Sequence, residues 1–498
     1  MNKENKNASI VAGVSLGGRF LTFLGRTLYI GRFGTNNPLL NIFSFALQAP
    51  NVIFNVLWTA LTSVMIPVYN SLLAEDRKDE AKKFIDNVIS FSFIILALLT
   101  VFGLLAAPVI SSLIEGSEFQ NTEYLTFALR VFMPVIIFFG FGAIFTGLLQ
   151  SHGSFKLPAF VSAPGGIFLI IYLVFLSDRF GVTGLIFATV LGALSQPLIL
   201  IPAVWKLGYR YKFSLDFKDK NLRLAAKLSI PVLISSISYQ VHFIFGHSIA
   251  LRLGITAIMD YSQQLVQVFI LTIVYAIAAV YFPKLSQLWA KKDTIGFNEN
   301  LQKSLLFTFF LALPGSLGMF LLRFEIMEFL LSLGGNGDSD IYLAGNLMGI
   351  YSIGVIAISF KEVYDRAFYS FKDSKTPALF GVLIMITNVL AVISLIPFIG
   401  AYAMPVAYGV SASVGGIGLF IKLYVKIRFV NFYFILEVVK TLAAALVMVF
   451  AALAGRSFLL FEINILNLIV PAVFGAAGYF TASYFLKISA LKNVRRRA

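Results

Sequence analysis

IVAGVSLGGRFLTFLGRTLYIGR, the stretch from Ile10 to Arg32, has the length and apolar character of a membrane-spanning helix but contains two internal arginines. Arg19 lies near its middle, and Arg26 follows seven residues later. An arginine at the bilayer centre costs about 2.5–3.5 kcal/mol even on lenient insertion scales, so we expect both side chains to face protein or water. Seven residues are nearly two helical turns, which would place both guanidinium groups on one face, about 10 Å apart along the axis.

This spacing is suited to a large polyanion such as a diphosphate. The alternative is that a neighbouring helix neutralises each arginine, or that the side chain extends to the membrane interface. Arg26 is close enough to the end of the stretch for the second arrangement, whereas Arg19 is not. The stretch therefore predicts a membrane protein with a polar interior.

The composition of the whole chain is that of a polytopic membrane protein. Of its 498 residues, 58% are hydrophobic and 13% are charged, whereas soluble domains are about 25% charged. The chain has no cysteine and three histidines, so we predict no disulfide, no metal site and no cofactor. A membrane-embedded transferase would need carboxylates or a metal on substantial loops, and no loop exceeds about 20 residues. The sequence therefore predicts a transporter without catalytic residues.

Apolar windows separated by charges, glycine and proline predict an all-α fold with about fourteen transmembrane helices. The predicted spans are residues 9–32, 38–73, 84–114, 123–149, 156–177, 182–205, 224–252, 257–288, 298–332, 340–371, 376–397, 400–425, 433–454 and 462–487.

The net charge of +15 arises mainly from lysines and arginines in alternate loops between these spans. Basic residues concentrate on the cytoplasmic side of membrane proteins, so the asymmetry predicts that both termini lie in the cytoplasm. We therefore expect a multi-pass membrane protein whose basic excess reflects its topology, and no nucleic-acid partner.

Two short motifs recur along the chain. Pro67–Leu72 resembles Pro283–Leu288 at an offset of 216 residues, and Lys156–Ala159 resembles Lys375–Ala378 at an offset of 219. Repeats of this kind are typical of transporters and predict two pseudo-repeated six-helix lobes around a central cavity. The predicted divisions are an N-lobe (1–205), a basic cytoplasmic linker (206–223), a C-lobe (224–428), and two additional C-terminal spans with a basic tail (429–498).

Polar side chains inside the predicted spans concentrate on the first, second, seventh and eighth. A single amide in a membrane helix often bonds a neighbouring helix, and this structural role is the alternative to ligand binding. The residues that we assign to substrate binding are Arg19, Arg26, Asn41, Asn51, Asn55, Gln240, Gln263, Gln264 and Gln267.

The tenth span contains two charged pairs at i,i+4 spacing, Lys361 with Asp365 and Glu362 with Arg366. Mutual neutralisation near the cytoplasmic end of the helix is the favoured interpretation. We assign Glu362, Arg366 and the following Asp373 to a cytoplasmic gate or a structural role.

The sequence RAFYS at residues 366–370, followed by DSKTP at 373–377, resembles a motif of the MurJ/MviN family, the lipid II flippases of bacterial cell-wall synthesis. Phe33-Gly34, Pro50-Asn51 and Pro67 also match the family pattern, and the resemblance extends from about residue 9 to 430. It implies a fourteen-span fold of the multidrug and oligosaccharidyl-lipid exporter superfamily. It also implies a substrate with a disaccharide-peptide on undecaprenyl diphosphate, moved from the inner to the outer leaflet by alternating access.

The chain departs from this family at several charged positions. Arg19 matches an arginine of the first span, and Arg26 lies one residue after another. Phe54 and Asn55 occupy the place of the second-span arginine, and Gln264 that of the eighth-span arginine. The resemblance therefore implies a cavity that is less cationic than in other members.

Three other functions stay open at this stage. The chain could flip another lipid-linked oligosaccharide, or export cationic drugs, for which Asp260 is the main candidate carboxylate. It could also be a scaffold that no longer transports. The partners that the sequence predicts are the lipid-linked saccharide and membrane lipids, and a coupling ion is possible but not identified. The chain is expected to be a monomer.

Overall fold

The computed structural model describes residues 3–114, 121–161, 163–332, 338–457 and 464–491, which are helical apart from short connections and contain no strand. A π-helical segment (Leu61–Met65) follows Ala60, and a 3₁₀ turn (Gly400–Tyr402) follows Ile399. The α-helices are α1 (Lys3–Phe33), α2 (Pro38–Ala60), α3 (Ile66–Ala74), α4 (Lys78–Ile114), α5 (Thr122–Phe132), α6 (Val135–Ser151), α7 (Lys156–Phe160), α8 (Ala163–Phe175), α9 (Ser177–Lys206), α10 (Lys220–Arg252), α11 (Thr256–Ala290), α12 (Thr294–Leu321), α13 (Arg323–Ser332), α14 (Asp338–Ser370), α15 (Lys375–Ile399), α16 (Ala403–Ile427), α17 (Phe432–Ser457) and α18 (Asn464–Phe485).

Ten helical segments among these residues are long and apolar enough to cross a membrane, and one of them, Lys375–Ile427, has 53 residues and contains both α15 and α16. Helices α1, α10 and α11 have 31, 33 and 35 residues, which is also enough to span a bilayer at 1.5 Å per residue. Arg19, Arg26, Gln240, Gln263, Gln264 and Gln267, six of the nine residues assigned to the substrate, lie on these three helices. The all-α membrane fold is thus confirmed, whereas the count of about fourteen spans stays a prediction.

The chain divides into two compact units, residues 1–257 and 258–498. In the first unit, α10 packs against α2 and α4. The division of the chain into lobes at 206–223 stays a prediction. The first unit has a buried apolar core that includes Leu72, Phe84, Ile85, Ile144, Leu148 and Leu200. The second unit has one core around Leu301, Phe368 and Leu423 and another around Phe310, Met448 and Tyr479.

Left-handed backbone turns repeat along the chain at the offsets that the sequence motifs predict. The pairs are Asp76 and Lys292, Gly153 and Lys372, and Gly181 and Gly400, with φ between 53° and 74°. The first pair lies 216 residues apart and the other two 219 residues apart. Asp76, Lys292 and Lys372 adopt this conformation although side chains with a Cβ disfavour it by about 1–2 kcal/mol.

The helices before these turns also end in the same way. In the first pair, the amides of Arg77 and Asp293 donate to the carbonyls five residues back, at 2.9 and 3.0 Å. In the second pair, those of Ser154 and Asp373 do the same, again at 2.9 and 3.0 Å. This is the Schellman type of helix end. The internal repeat is therefore present in the backbone geometry as well as in the sequence.

Residues 209–219, which we call the strap, run without helical structure along the first turns of α4. They bond to three buried polar residues of that helix, Asp86, Asn87 and Ser90, which are 5%, 0% and 0% exposed. The bonds are Tyr209 Oη to Asp86 Oδ1 (2.6 Å), Lys212 N to Asp86 Oδ1 (3.1 Å), Ser214 Oγ to Asn87 Oδ1 (2.7 Å), Asp216 N to Asn87 Oδ1 (3.1 Å), Asn87 Nδ2 to Asp219 Oδ2 (2.9 Å) and Ser214 N to Ser90 Oγ (3.1 Å). The basic segment that the sequence marks as a linker is thus fastened to the first unit.

Electrostatic contacts reinforce the strap. Asp216 accepts a charged hydrogen bond from Lys83 Nζ at 2.7 Å, and this bond lowers the pKa of Asp216 below its ordinary value. Burial and the bond to Asp86 raise the pKa of the Tyr209 hydroxyl well above its ordinary value. In the second unit the C-terminal end of α16 bonds to α12, since Asn298 Nδ2 donates to the carbonyl of Ile427 at 3.0 Å.

Candidate functional site

The first arginine-bearing helix, α1, packs closely against α8 in the first unit. Gly25 faces Leu169, and Gly166 lies against the backbone at Leu21, where a larger residue would not fit. Arg26 is one residue beyond Gly25, so its side chain projects about 100° away from the α8-facing side. Arg26 is half-buried and, among the described residues, forms no ion pair. The side chain of Arg19 lies outside the part of the chain that the structure describes.

Both the nitrogen and the oxygen of the Asn41 side-chain amide, on α2, form hydrogen bonds within the first unit. The side chain is 2% exposed, and its Nδ2 donates to the carbonyls of Gly254 at 2.6 Å and Thr35 at 3.2 Å. Its Oδ1 accepts the amide of Ala257 at 2.8 Å. Asn41 therefore joins α2 to the turn between α10 and α11, which is the structural role weighed from the sequence. A ligand does not reach this amide in the observed conformation.

The remaining amides of α2 are more accessible toward its C-terminal half. Gln48 is buried, Asn51 is half-buried, and Asn55 is exposed. They lie three and four residues apart, so they share one helical face. Asn51 donates to the carbonyl of Leu47 at 2.9 Å within its own helix. Gln240, on the neighbouring α10, is 8% exposed. The first unit thus brings the amide-bearing helices α2 and α10 together.

In the second unit, α11 carries a polar stripe. Asp260 is buried, and Gln263, Gln264 and Gln267 are half-buried. Their spacing of three, four and seven residues from Asp260 places them along one face of the helix. The Oε1 atom of Gln264 is buried and has no hydrogen-bond partner among the described residues. An unbonded buried acceptor is costly, so this position can accept a hydrogen bond from a ligand or a water molecule.

The charged residues of α14 form the pairs expected from their spacing. Lys361 Nζ lies 2.6 Å from Asp365 Oδ2, and Arg366 Nη2 lies 3.8 Å from Glu362 Oε2. Their side chains are 8–33% exposed, and the opposite face of α14 packs into an apolar core with Val363, Tyr364 and Phe368. With two positive and two negative groups, the cluster is neutral overall. This is the mutual neutralisation favoured from the sequence.

Asp373 lies just after the left-handed turn at Lys372 and caps the next helix. Its carboxylate accepts the amide of Thr376 at 3.0 Å and the hydroxyl of Thr376 at 2.8 Å. Burial alone would raise the pKa of Asp373, but these bonds outweigh it, so the pKa lies below its ordinary value. The carboxylate therefore stays charged and fixes the start of α15, which is a structural function.

Sequence reasoning missed the strap and its anchors. Asp86 and Asn87 lie at the start of an otherwise apolar predicted span, and two adjacent polar residues there were the available signal. Within the described residues, no group of three or more histidines, cysteines or carboxylates has an arrangement suited to a metal ion.

Comparisons with known proteins agree with this architecture. A family model described as "Lipid II flippase MurJ" matches residues 32–474. The "Probable lipid II flippase MurJ" of Rhizobium tropici is 26% identical over 431 residues, which are 83% of this chain and 80% of that protein. The "Lipid II flippase MurJ" of Burkholderia cenocepacia is 23% identical over 425 residues, with 83% and 82% of the two chains covered.

Solved structures show the same fold. One described as "Lipid II flippase MurJ, inward closed conformation" superposes with a TM-score of 0.82 at 18% identity and covers 96% of this chain and 98% of its own. An inward-facing multidrug resistance MATE family transporter of the MOP superfamily has a TM-score of 0.67 at 16% identity, covering 82% and 94%. The apolar helices and these relatives identify a multi-pass inner-membrane protein.

Proposed function

The chain belongs to the lipid II flippase MurJ family, and from this premise we propose that it moves lipid II across the membrane by alternating access. The family match over residues 32–474 is the observation that carries the proposal.

We propose that Arg19 and Arg26 bind the diphosphate of the substrate. Guanidinium groups form strong, often bidentate hydrogen bonds to phosphate oxygens, and the surrounding low dielectric strengthens them. Arg26 has no ion-pair partner among the described residues, so an anionic ligand would not compete with a carboxylate there. The arginines are expected to contribute most of the affinity for the charged part of the substrate.

The amides would bind the uncharged part of the headgroup. We propose that Asn51, Asn55 and Gln240 in the first unit, and Gln263, Gln264 and Gln267 in the second, line its path. Asn41 would act by positioning, because its amide already joins α2 to the turn before α11. Glu362, Arg366 and Asp373 would have the gate or structural role, since their charges are satisfied within the second unit.

The orientation that we propose has both termini and the basic segment 206–223 in the cytoplasm, because lysines and arginines concentrate there. We further propose that the chain works as a monomer. A coupling ion is compatible with the polar stripe of α11, in which Asp260 is buried.

A lipid II accessibility assay in cells depleted of their own flippase tests the proposed function. Expression of the chain should restore lipid II at the outer leaflet, and Arg19→Ala should abolish this while membrane insertion is retained. Arg32→Ala is the matched control on the same helix, because Arg32 already pairs with Asp178. Failure of the unmodified, correctly inserted chain to restore lipid II would refute the proposal.

A cation exporter of the multidrug type is the second candidate. The observation in its favour is the buried carboxylate of Asp260, 7% exposed, in a fold shared with a MATE transporter. Such an exporter should lower the accumulation of a cationic dye, and Asp260→Asn should abolish this export. Normal lipid II transport without dye export would support the flippase function, whereas dye export without lipid II transport would support the exporter function. A flippase for another lipid-linked oligosaccharide would move that lipid and leave lipid II in the inner leaflet.

A further inference from the structure

The first unit contains a cavity of about 540 Å³ between α2, α4, α6 and α10, which we call the α4–α10 cavity. This is within the range of about 300–1,000 Å³ that is typical of ligand sites. Its wall is formed by Leu57, Leu61, Met65, Val88, Phe91, Ser92, Ile95, Leu96, Gly140, Ile144, Phe217, Leu222, Arg223, Ala225, Ala226, Ser229, Ile230 and Leu233. The proposed substrate residues of this unit are absent from the wall.

The wall is almost wholly apolar. Ser229 donates its hydroxyl to the carbonyl of Ala225 at 2.9 Å, so this polar group is already satisfied within α10. Ile95 and Ile230 are 49% and 56% exposed, which means that the cavity opens at the surface of the unit. A sugar or a peptide would find few hydrogen-bond partners inside, whereas a hydrocarbon chain would bury apolar surface.

One cation, Arg223, lies in the wall beside the strap. Its Nε donates to the carbonyl of Phe217 at 2.7 Å, and the ring of Phe217 packs edge-on against Phe91 at 4.6 Å. Among the described residues, the two terminal nitrogens of Arg223 form no hydrogen bond and remain available to an anion.

We propose that the α4–α10 cavity binds one acyl chain of an anionic glycerophospholipid, with the lipid phosphate bound by the terminal nitrogens of Arg223. Basic pockets between transmembrane helices recognise anionic headgroups in this way. The strap supplies part of the wall through Phe217, so lipid binding and strap docking stabilise each other. This site is independent of the proposed function, because it shares no residue with the proposed substrate site.

A phosphatidylglycerol with a photoreactive group at the end of one acyl chain tests the site on the purified full-length protein. Crosslinks should map to residues 91–96 of α4 and 226–233 of α10. Ala226→Phe, which fills the cavity, should remove at least four-fifths of these crosslinks. Leu224→Phe is the matched control, because Leu224 is an exposed residue of the same helix outside the wall, and it should leave them unchanged.

The headgroup contact is tested by titration with unlabelled phosphatidylglycerol. Arg223→Gln should weaken competition about fivefold, the factor expected for one basic side chain at an anionic lipid, whereas Arg223→Lys should retain most of it. Lys227→Gln, the matched control outside the wall, should change it less than twofold. The four substituted residues, Arg223, Leu224, Ala226 and Lys227, are exposed on α10, and the elution profile on gel filtration verifies the fold of each variant.

Crosslinks that map elsewhere, or equal loss in Ala226→Phe and Leu224→Phe, would overturn the proposal. Phosphatidylcholine that competes as well as phosphatidylglycerol would overturn the role of Arg223. Undecaprenyl phosphate that displaces the probe at lower concentration than phosphatidylglycerol would assign the cavity to a polyprenyl chain, and the proposal would then be wrong.

Discussion

Replacing Asn87 by alanine should weaken the attachment of the strap to α4. The side chain of Asn87 is fully buried and forms three hydrogen bonds, two accepted from Ser214 and Asp216 and one donated to Asp219. Each such bond contributes about 1 kcal/mol net, and the partners on the strap can regain water because they are only half-buried. We therefore expect a loss of about 2–3 kcal/mol from the free energy that holds the strap down, which corresponds to roughly a 30- to 150-fold increase in its open population.

Limited trypsin digestion measures this population directly, because the strap contains Arg210, Lys212 and Lys218 as cleavage sites. When opening and closing are fast, the cleavage rate follows the open population, so it should rise by the same factor. Asn221→Ala is the matched control, since Asn221 forms one long bond of 3.4 Å to Glu80 and should change the rate less than threefold. A rate for Asn87→Ala within threefold of the unmodified protein would refute the assignment of Asn87 as the anchor.

Further predictions concern the turns, the charge on the strap and the arginines of α1. Lys372→Gly should raise the free energy of unfolding by roughly 0.5–1 kcal/mol, because glycine adopts φ of 60° without strain, whereas Gly153→Ala at the corresponding turn should lower it by about 1–2 kcal/mol in the same denaturant titration. Since the folded pKa of Asp216 lies below its ordinary value of 3.8, its contribution is present above that value and is lost as pH falls through the lower folded pKa. Cleavage of the strap by pepsin should therefore accelerate relative to Asp216→Asn as the pH falls below about 3.8, and an identical pH profile for the two proteins would contradict this. In the lipid II assay, Arg19→Lys should keep partial activity, because it retains the charge but loses bidentate bonding. The transport activity of Arg26→Ala should lie between that of the unmodified protein and that of Arg19→Ala. Transport at the unmodified rate by Arg19→Ala would contradict the proposed anion site.

The repeated helix ends have the same geometry although their residues differ. The same helix end occurs after α3 and after α11, and again after α6 and after α14, although glycine is present at only one of these four turns. Asp76, Lys292 and Lys372 are therefore held in the left-handed conformation by the hydrogen bonds that close each helix. The same turn geometry thus occurs with glycine and without it, because the same hydrogen bond closes each helix.

The sequence by itself determined the features that depend on local spacing. Apolar runs predicted the helices, the matched motifs predicted the repeat, and i,i+4 spacing predicted the ion pairs of α14, because each of these is set by residues close together in the chain. The order of motifs also carried the family resemblance.

Only the tertiary structure decided what the buried polar groups contact. Asn41 resembled the other amides of α2, yet its partners Gly254 and Ala257 lie 213 and 216 residues away. The strap reaches its anchors on α4 across 121 to 132 residues in the same way. An amide has the same hydrogen-bonding groups whether it meets a backbone or a ligand, so only the packing of distant segments distinguishes the two. The α4–α10 cavity likewise arises from four helices whose separate sequences contain no sign of the space between them.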